Sequence, residues 1–142
     1  MTIKSRFCDI LKLTTPIFQA PSWSNYTQLA SAVANNGGLG MVPLGNWPIE
    51  NCERLIDETL NLTNQNIGVN LILEWDQSER LDLSLKKGIK VIWFCWGDPS
   101  PFIEKIHAHG AKVILTVGSA IEAKQAVDAG VDVIVTQGWE AG

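Results

Sequence analysis

The chain has 142 residues, 46% of them apolar and 18% charged, with a net charge of −4. That suffices for one globular domain with a core, and it excludes a disordered chain. There is no basic block and no Arg-rich stripe, so nothing favours a polyanionic partner such as a nucleic acid.

The N-terminal residues 1–15 read as a lead-in, with a short alternation at Ile10, Leu11 and Leu13. They contain no long apolar h-region, so they do not read as a signal peptide. No run approaches ~18 apolar residues, so no membrane span is expected. Ile17 to Pro21 is a short apolar strand ended by proline, followed by a polar loop, Ser22-Trp23-Ser24-Asn25, with helix N-cap candidates. Leu29, Ala30, Val33 and Ala34 recur at helical spacing, and Asn35-Asn36-Gly37-Gly38 stops that helix. Leu39 to Leu44 is a second strand. Pro48 is placed to start a helix whose stripe is Leu55, Ile56, Thr59 and Leu60. Ile67 to Leu73 is a third strand with Asn70 in its middle. Glu74 to Lys87 is a polar linker or a helix, since leucines at 81, 83 and 85 alternate by two.

An internal repeat follows, led by Gly88, Gly110 and Gly130, which lie 22 and then 20 residues apart. Each copy runs glycine, one residue, a charge, an apolar run, then glycine. Helical patterns separate the copies, through Phe102, Ile103 and Ile106, then Ala120, Ala123, Ala126 and Val127. Continuous apolar runs mark strands buried on both faces of a parallel sheet. The spacing therefore predicts six strands in one α/β domain over 1–142, as an open doubly wound sheet or part of a (β/α)8 barrel. Polar or unusual residues at the ends of most strands (Gln19, Asn70, Cys95-Trp96, Thr116, Gln137) favour the barrel, whose sites lie there. A whole barrel takes ~250 residues, so about six units are present and two are missing.

Several residues carry chemistry or packing. The loop Gln137-Gly138-Trp139-Glu140-Ala141-Gly142 is either a ligand loop or a turn that needs glycine. Asn70 is either a ligand contact or a satisfied structural amide. Trp96 suits a pocket wall, while Trp93 and Phe94 read as packing. Cys95 has no base placed near it in sequence, which argues against a nucleophile. His107 and His109 point to different faces and read as surface residues, not a metal pair. Cys8, Cys52 and Cys95 form no C-x-x-C or zinc pattern and read as reduced thiols of a cytoplasmic protein.

Five segments in order, P-I-F-Q-A-P at 16–21, N-N-G-G-L-G at 35–40, G-V-N-L at 68–71, F-C-W-G-D-P at 94–99 and Q-G-W-E-A-G at 137–142, together resemble the nitronate monooxygenase family, formerly 2-nitropropane dioxygenases. These are FMN-dependent (β/α)8 barrels that oxidise alkyl nitronates with O2 to a carbonyl compound plus nitrite. The same set also resembles flavin-dependent enoyl-(acyl carrier protein) reductases. The resemblance implies flavin contacts at Ala20, Pro21, Ser22, Asn70, Gln137 and Gly142, with serine at 22 where the family usually has methionine. It resolves Asn70 and Gln137 towards function. It implies small-molecule partners, a nitronate or nitroalkane and O2, and no metal. It places the catalytic histidine two residues past Gly142, and the FMN phosphate in the loops of the last two units. A truncated, inactive form with weak or no FMN binding and marginal solubility is therefore expected for these 142 residues. The rival reading is a non-catalytic fragment or interaction module.

Overall fold

The computed structural model describes residues 5–22, 24 and 26–140. Its elements in order are α1 (Arg6–Leu11), α2 (Tyr26–Asn35), β1 (Gly40–Pro43), α3 (Ile49–Leu62), β2 (Ile67–Ile72), α4 (Ser78–Lys86), β3 (Val91–Cys95), α5 (Ser100–Ala108), β4 (Lys112–Val117), α6 (Ala120–Ala129) and β5 (Val133–Thr136). The five strands form one parallel sheet in the order β1-β2-β3-β4-β5.

That order decides between the two architectures left open by sequence. A doubly wound sheet reverses its strand order and covers both faces with helices. Here the order never reverses. One apolar cluster joins Ala30 and Ala34 of α2, Leu55 and Ile56 of α3, Leu81 and Leu85 of α4, Ile103 and Ile106 of α5 and Ala126 of α6 to a single set of strand residues. Those partners include Val42, Val69, Ile92, Phe94, Val113 and Leu115, which share one face by the period-two alternation of strands. All the crossover helices thus lie on one side, as in a barrel wall, and the curve is not closed.

Local chemistry explains the elements. The helix after Pro48 buries Cys52, Leu55, Ile56 and Thr59, one stripe at helical spacing. The ambiguous stretch at 74–87 contains α4, because Leu81 and Leu85 are one turn apart and both buried, while Leu83 only flanks the cluster. The lead-in is not extended: Ser5 caps α1, its side chain accepting from the Cys8 N–H, and Lys12 ends it in a left-handed conformation. The three repeat-leading glycines all have positive φ, at 82°, 66° and 96°, and follow α4, α5 and α6. They terminate helices, as the repeat implies.

The first predicted strand is reduced to one parallel bridge, Phe18 to Leu39. It is held by Gln19 N–H to Leu39 O at 3.0 Å and Leu39 N–H to Ile17 O at 2.9 Å. Pro16 and Pro21 bracket it and have no N–H to extend the ladder. Five named strands plus this bridge replace the six expected. Gly40 permits close packing here, since a Cβ on it would lie 1.9 Å from Ala30 O of α2. No helix among the described residues is long and apolar enough to cross a membrane.

Candidate functional site

The other strand face forms a second apolar cluster: Leu39, Met41, Val91, Trp93 and Ile114, joined by Leu11 of α1 and flanked by Phe7, Ile10 and Phe18. The Phe18 and Trp93 rings are 4.7 Å apart. α1 and the first bridge thus fill the lower part of the inner face with hydrocarbon. Polar groups of this face gather towards the C-terminal strand ends.

Those groups form a connected set. Asn70 is 5% exposed, and its Nδ2 donates to Trp93 O at 3.1 Å and to Cys95 Sγ at 3.3 Å. Cys95 Sγ lies 3.4 Å from Thr116 Oγ1, which accepts from Trp93 Nε1 at 2.8 Å. Asn70, Trp93, Cys95 and Thr116 therefore hold one another across three neighbouring strands. Gln137 continues the inward parity of Val133 and Val135, and its N–H extends the ladder to Val117 O at 3.1 Å.

A cleft of about 880 Å³ opens at this end. The segment from the end of β3 to the start of α5 supplies Trp96 to Ser100, helix α6 supplies Glu122, Gln125, Ala126 and Ala129, and the end of β5 supplies Gln137, Gly138 and Trp139, over Leu115, Thr116, Val117 and Gly118. Trp96 is 57% exposed and holds φ of 56°, a left-handed backbone rare for a bulky residue. Asp98 accepts from the Ser100 N–H at 2.9 Å and from its hydroxyl, bonds that hold the carboxyl below its ordinary range. Glu122 accepts from the Gly118 N–H at 2.9 Å and caps α6 together with Ser119.

The expected site residues divide. Ala20, Pro21 and Ser22 follow the parallel bridge and so lie at the same end of the sheet as Asn70 and Gln137. Only Gln137 of the expected set lines the cleft. Gly142 lies outside the described residues, as do Trp23 and Asn25 of the proposed N-cap loop. Gln19 serves the fold, since its Oε1 accepts from Met41 N–H at 3.2 Å and its Nε2 donates to Ala20 O at 2.8 Å. Phe94 packs outward on Phe102, as expected, and Trp93 packs inward. His107 and His109 lie near the N-terminal strand ends, where His107 Nε2 bonds Asp132 Oδ2 at 2.8 Å. Both are exposed, as expected, with His107 bonded to the carboxylate that also holds Lys112. No group of three or more His, Cys, Asp or Glu among the described residues is arranged to hold a metal.

Asp98, Ser100 and Glu122 were not anticipated. Their signal was legible as D-x-S and S-x-x-E capping patterns directly after predicted strands.

The family model described as nitronate monooxygenase matches residues 4–79 and 50–142. A probable nitronate monooxygenase of Staphylococcus aureus is 29% identical over 98% of this chain and 50% of its own length. The (3aS,4S,5R,7aS)-5-hydroxy-7a-methyl-1-oxo-octahydro-1H-indene-4-carboxyl-CoA dehydrogenase of Rhodococcus jostii is 29% identical over 99% of this chain and 40% of its own length. Among solved structures, FabK from Thermotoga maritima superposes with a TM-score of 0.89 at 28% identity, over 95% of this chain and 44% of FabK. The chain thus spans half or less of these relatives' lengths.

Proposed function

The chain belongs to the nitronate monooxygenase family, and on that premise we propose that it forms part of an FMN-dependent oxidoreductase converting alkyl nitronates and O2 to carbonyl compounds and nitrite. The observation that carries this reading is the placement of two side-chain amides, Asn70 and Gln137, on the inner face of the sheet towards its C-terminal end, where Gln137 lines the cleft. Side-chain amides both donate and accept, which suits the edge of an uncharged heteroaromatic ring. The residues present fit the ring of a flavin. The described cleft lining holds no Lys, Arg or His, so it offers no cation for a phosphate.

Bound FMN would supply the electron transfer from substrate to O2. The chain's own residues bind, orient and exclude water. Asn70 would contact the ring from a fixed pose, because Trp93 O and Cys95 Sγ already hold its Nδ2. Gln137 and the backbone of Ala20 to Ser22 would contact other ring edges. The apolar layer of Met41, Trp93 and Ile114 keeps water from entering from below. The free cysteines Cys8, Cys52 and Cys95 support a cytoplasmic, reducing setting.

A second reading, reduction or oxidation of an acyl thioester, is supported by the carboxyl-CoA dehydrogenase relative. Both are tested by titrating FMN and then measuring O2 uptake with propyl-2-nitronate against NAD(P)H oxidation with an enoyl thioester. Stoichiometric flavin and nitronate-dependent O2 uptake are expected from the protein with its complete barrel. Thioester-dependent NAD(P)H oxidation alone would replace the first reading with the second. Absence of flavin binding would overturn both.

A further inference from the structure

Building on the flavin reading of Asn70, we infer that Cys95 is a positioning residue. It takes one of the two Asn70 amide protons, so that Asn70 faces the ring as an acceptor only and meets an N–H of the ligand. Cys95 touches neither ring nor substrate in this role and acts through Asn70.

A side-chain amide carries two protons on nitrogen and an acceptor oxygen. In Asn70 both protons are used inside the sheet. Nδ2 donates to Trp93 O at 3.1 Å and to Cys95 Sγ at 3.3 Å. Trp93 O is a carbonyl and can only accept, so turning the amide end for end would set two acceptors against each other. Oδ1 takes no hydrogen bond among the described residues. The buried side-chain atoms left unpaired among those residues are Gln77 Oε1 and Arg80 Nε. Asn70 Oδ1 is not one of them, so it reaches open space although the residue is only 5% exposed. Strand alternation puts Asn70 on the inner face, opposite Val69 and Leu71 of the helix-side core.

Cys95 is itself held from the next strand. Its Sγ lies 3.4 Å from Thr116 Oγ1, which accepts from Trp93 Nε1 at 2.8 Å. The indole N–H can only donate, so it fixes the threonine oxygen, and that oxygen sits against the thiol. The bonds run without a break from β2 through β3 to β4. Cys95 is half-buried and forms no disulfide, so its sulfur is free to serve as this acceptor. An amide that can only accept also selects its partner. The oxidised flavin ring carries one N–H, at N3, and its other heteroatoms are acceptors. Asn70 in this pose therefore bonds the ring through the N3–H.

The test uses the protein with its complete barrel, labelled with nitrogen-15 at asparagine. Both Asn70 Nδ2 protons should exchange slowly with solvent in the parent. In Cys95→Ala one of them should exchange as fast as an exposed amide, and Cys95→Ser, which keeps an acceptor, should restore its protection. The ring is probed by fluorescence titration with FMN and with N3-methyl-FMN. Methylation should weaken binding to the parent by about fivefold or more, and Asn70→Leu should cancel that difference. Cys95→Ala should weaken FMN binding by about threefold, with recovery in Cys95→Ser. A freely exchanging Asn70 amide proton in the parent, or full protection retained in Cys95→Ala, would overturn the positioning role. Equal affinity of the parent for both flavins would overturn the acceptor role. No binding of either flavin, with both amide protons protected in the parent and one released in Cys95→Ala, would sink the flavin reading and uphold the positioning role.

Discussion

Asp132 offers the sharpest test of how the strand ends opposite the cleft are held. Its side chain is 13% exposed and carries three partners. Oδ1 accepts from Lys112 Nζ at 2.7 Å, while Oδ2 accepts from the Val113 N–H at 2.8 Å and bonds His107 Nε2 at 2.8 Å. One carboxylate thus ties β5 to β4 and to α5. Asp132→Ala would leave the N–H of fully buried Val113 without that acceptor, a loss of ~1–3 kcal/mol. The side chains of Lys112 and His107 are 43% and 38% exposed, so each pair adds at most ~1 kcal/mol. The sum is about 2–4 kcal/mol for alanine, and about 1–2 for asparagine, whose carbonyl still accepts from Val113. Burial works against ionisation of Asp132, but the bonds from Lys112, Val113 and His107 outweigh it, and its pKa falls below the ordinary 3.8. A carboxyl with a depressed folded pKa stabilises fully above its unfolded value and loses that contribution as pH falls through the folded one. Urea unfolding of parent and Asp132→Asn should therefore differ at pH 7 and converge as pH falls below about 4. An alanine variant within about 0.5 kcal/mol of the parent at pH 7, or an asparagine gap unchanged at low pH, would refute this account.

Other outcomes follow from single contacts. Gly40→Ala should cost about 3 kcal/mol, because its Cβ would meet the Ala30 backbone. Gly88→Ala, with open space but φ of +82°, should cost only about 1 kcal/mol, and thermal melts should rank them so. Asn70→Leu should lower FMN affinity about tenfold or more in flavin fluorescence titration while the far-ultraviolet circular dichroism is unchanged. In native maleimide labelling followed by mass spectrometry, half-buried Cys95 should react first. Cys52 should react last, because burial pushes its thiol up despite the opposing Arg80 guanidinium.

The parallel α/β architecture was legible because its signals are local. Continuous apolar runs, and glycines at 88, 110 and 130 that prove left-handed, are properties of adjacent residues. What was not legible depends on partners distant in sequence. The helix at Arg6–Leu11 hides behind an alternation, and Leu11 is buried only because the inner face needs filling. Gln19 looked like a site residue for the same reason as Gln137: both are polar ends of apolar runs. The fold role of Gln19 shows only in its bonds to the backbone of Met41, 22 residues away. Asp132 read as one charge in a repeat, yet its partners lie on two other elements.

The two ends of the sheet use polarity in different ways. At the N-terminal ends, Asp132, Lys112 and His107 pair with one another across elements. At the C-terminal ends, Asn70, Cys95, Thr116 and Trp93 also bond mutually, but they stand at the top of the hydrocarbon layer that closes the inner face from below. The carboxylates there, Asp98 and Glu122, are bonded to the starts of α5 and α6 and not to any cation. Their charge is therefore met by N–H and hydroxyl donors at those helix starts, where the cleft opens.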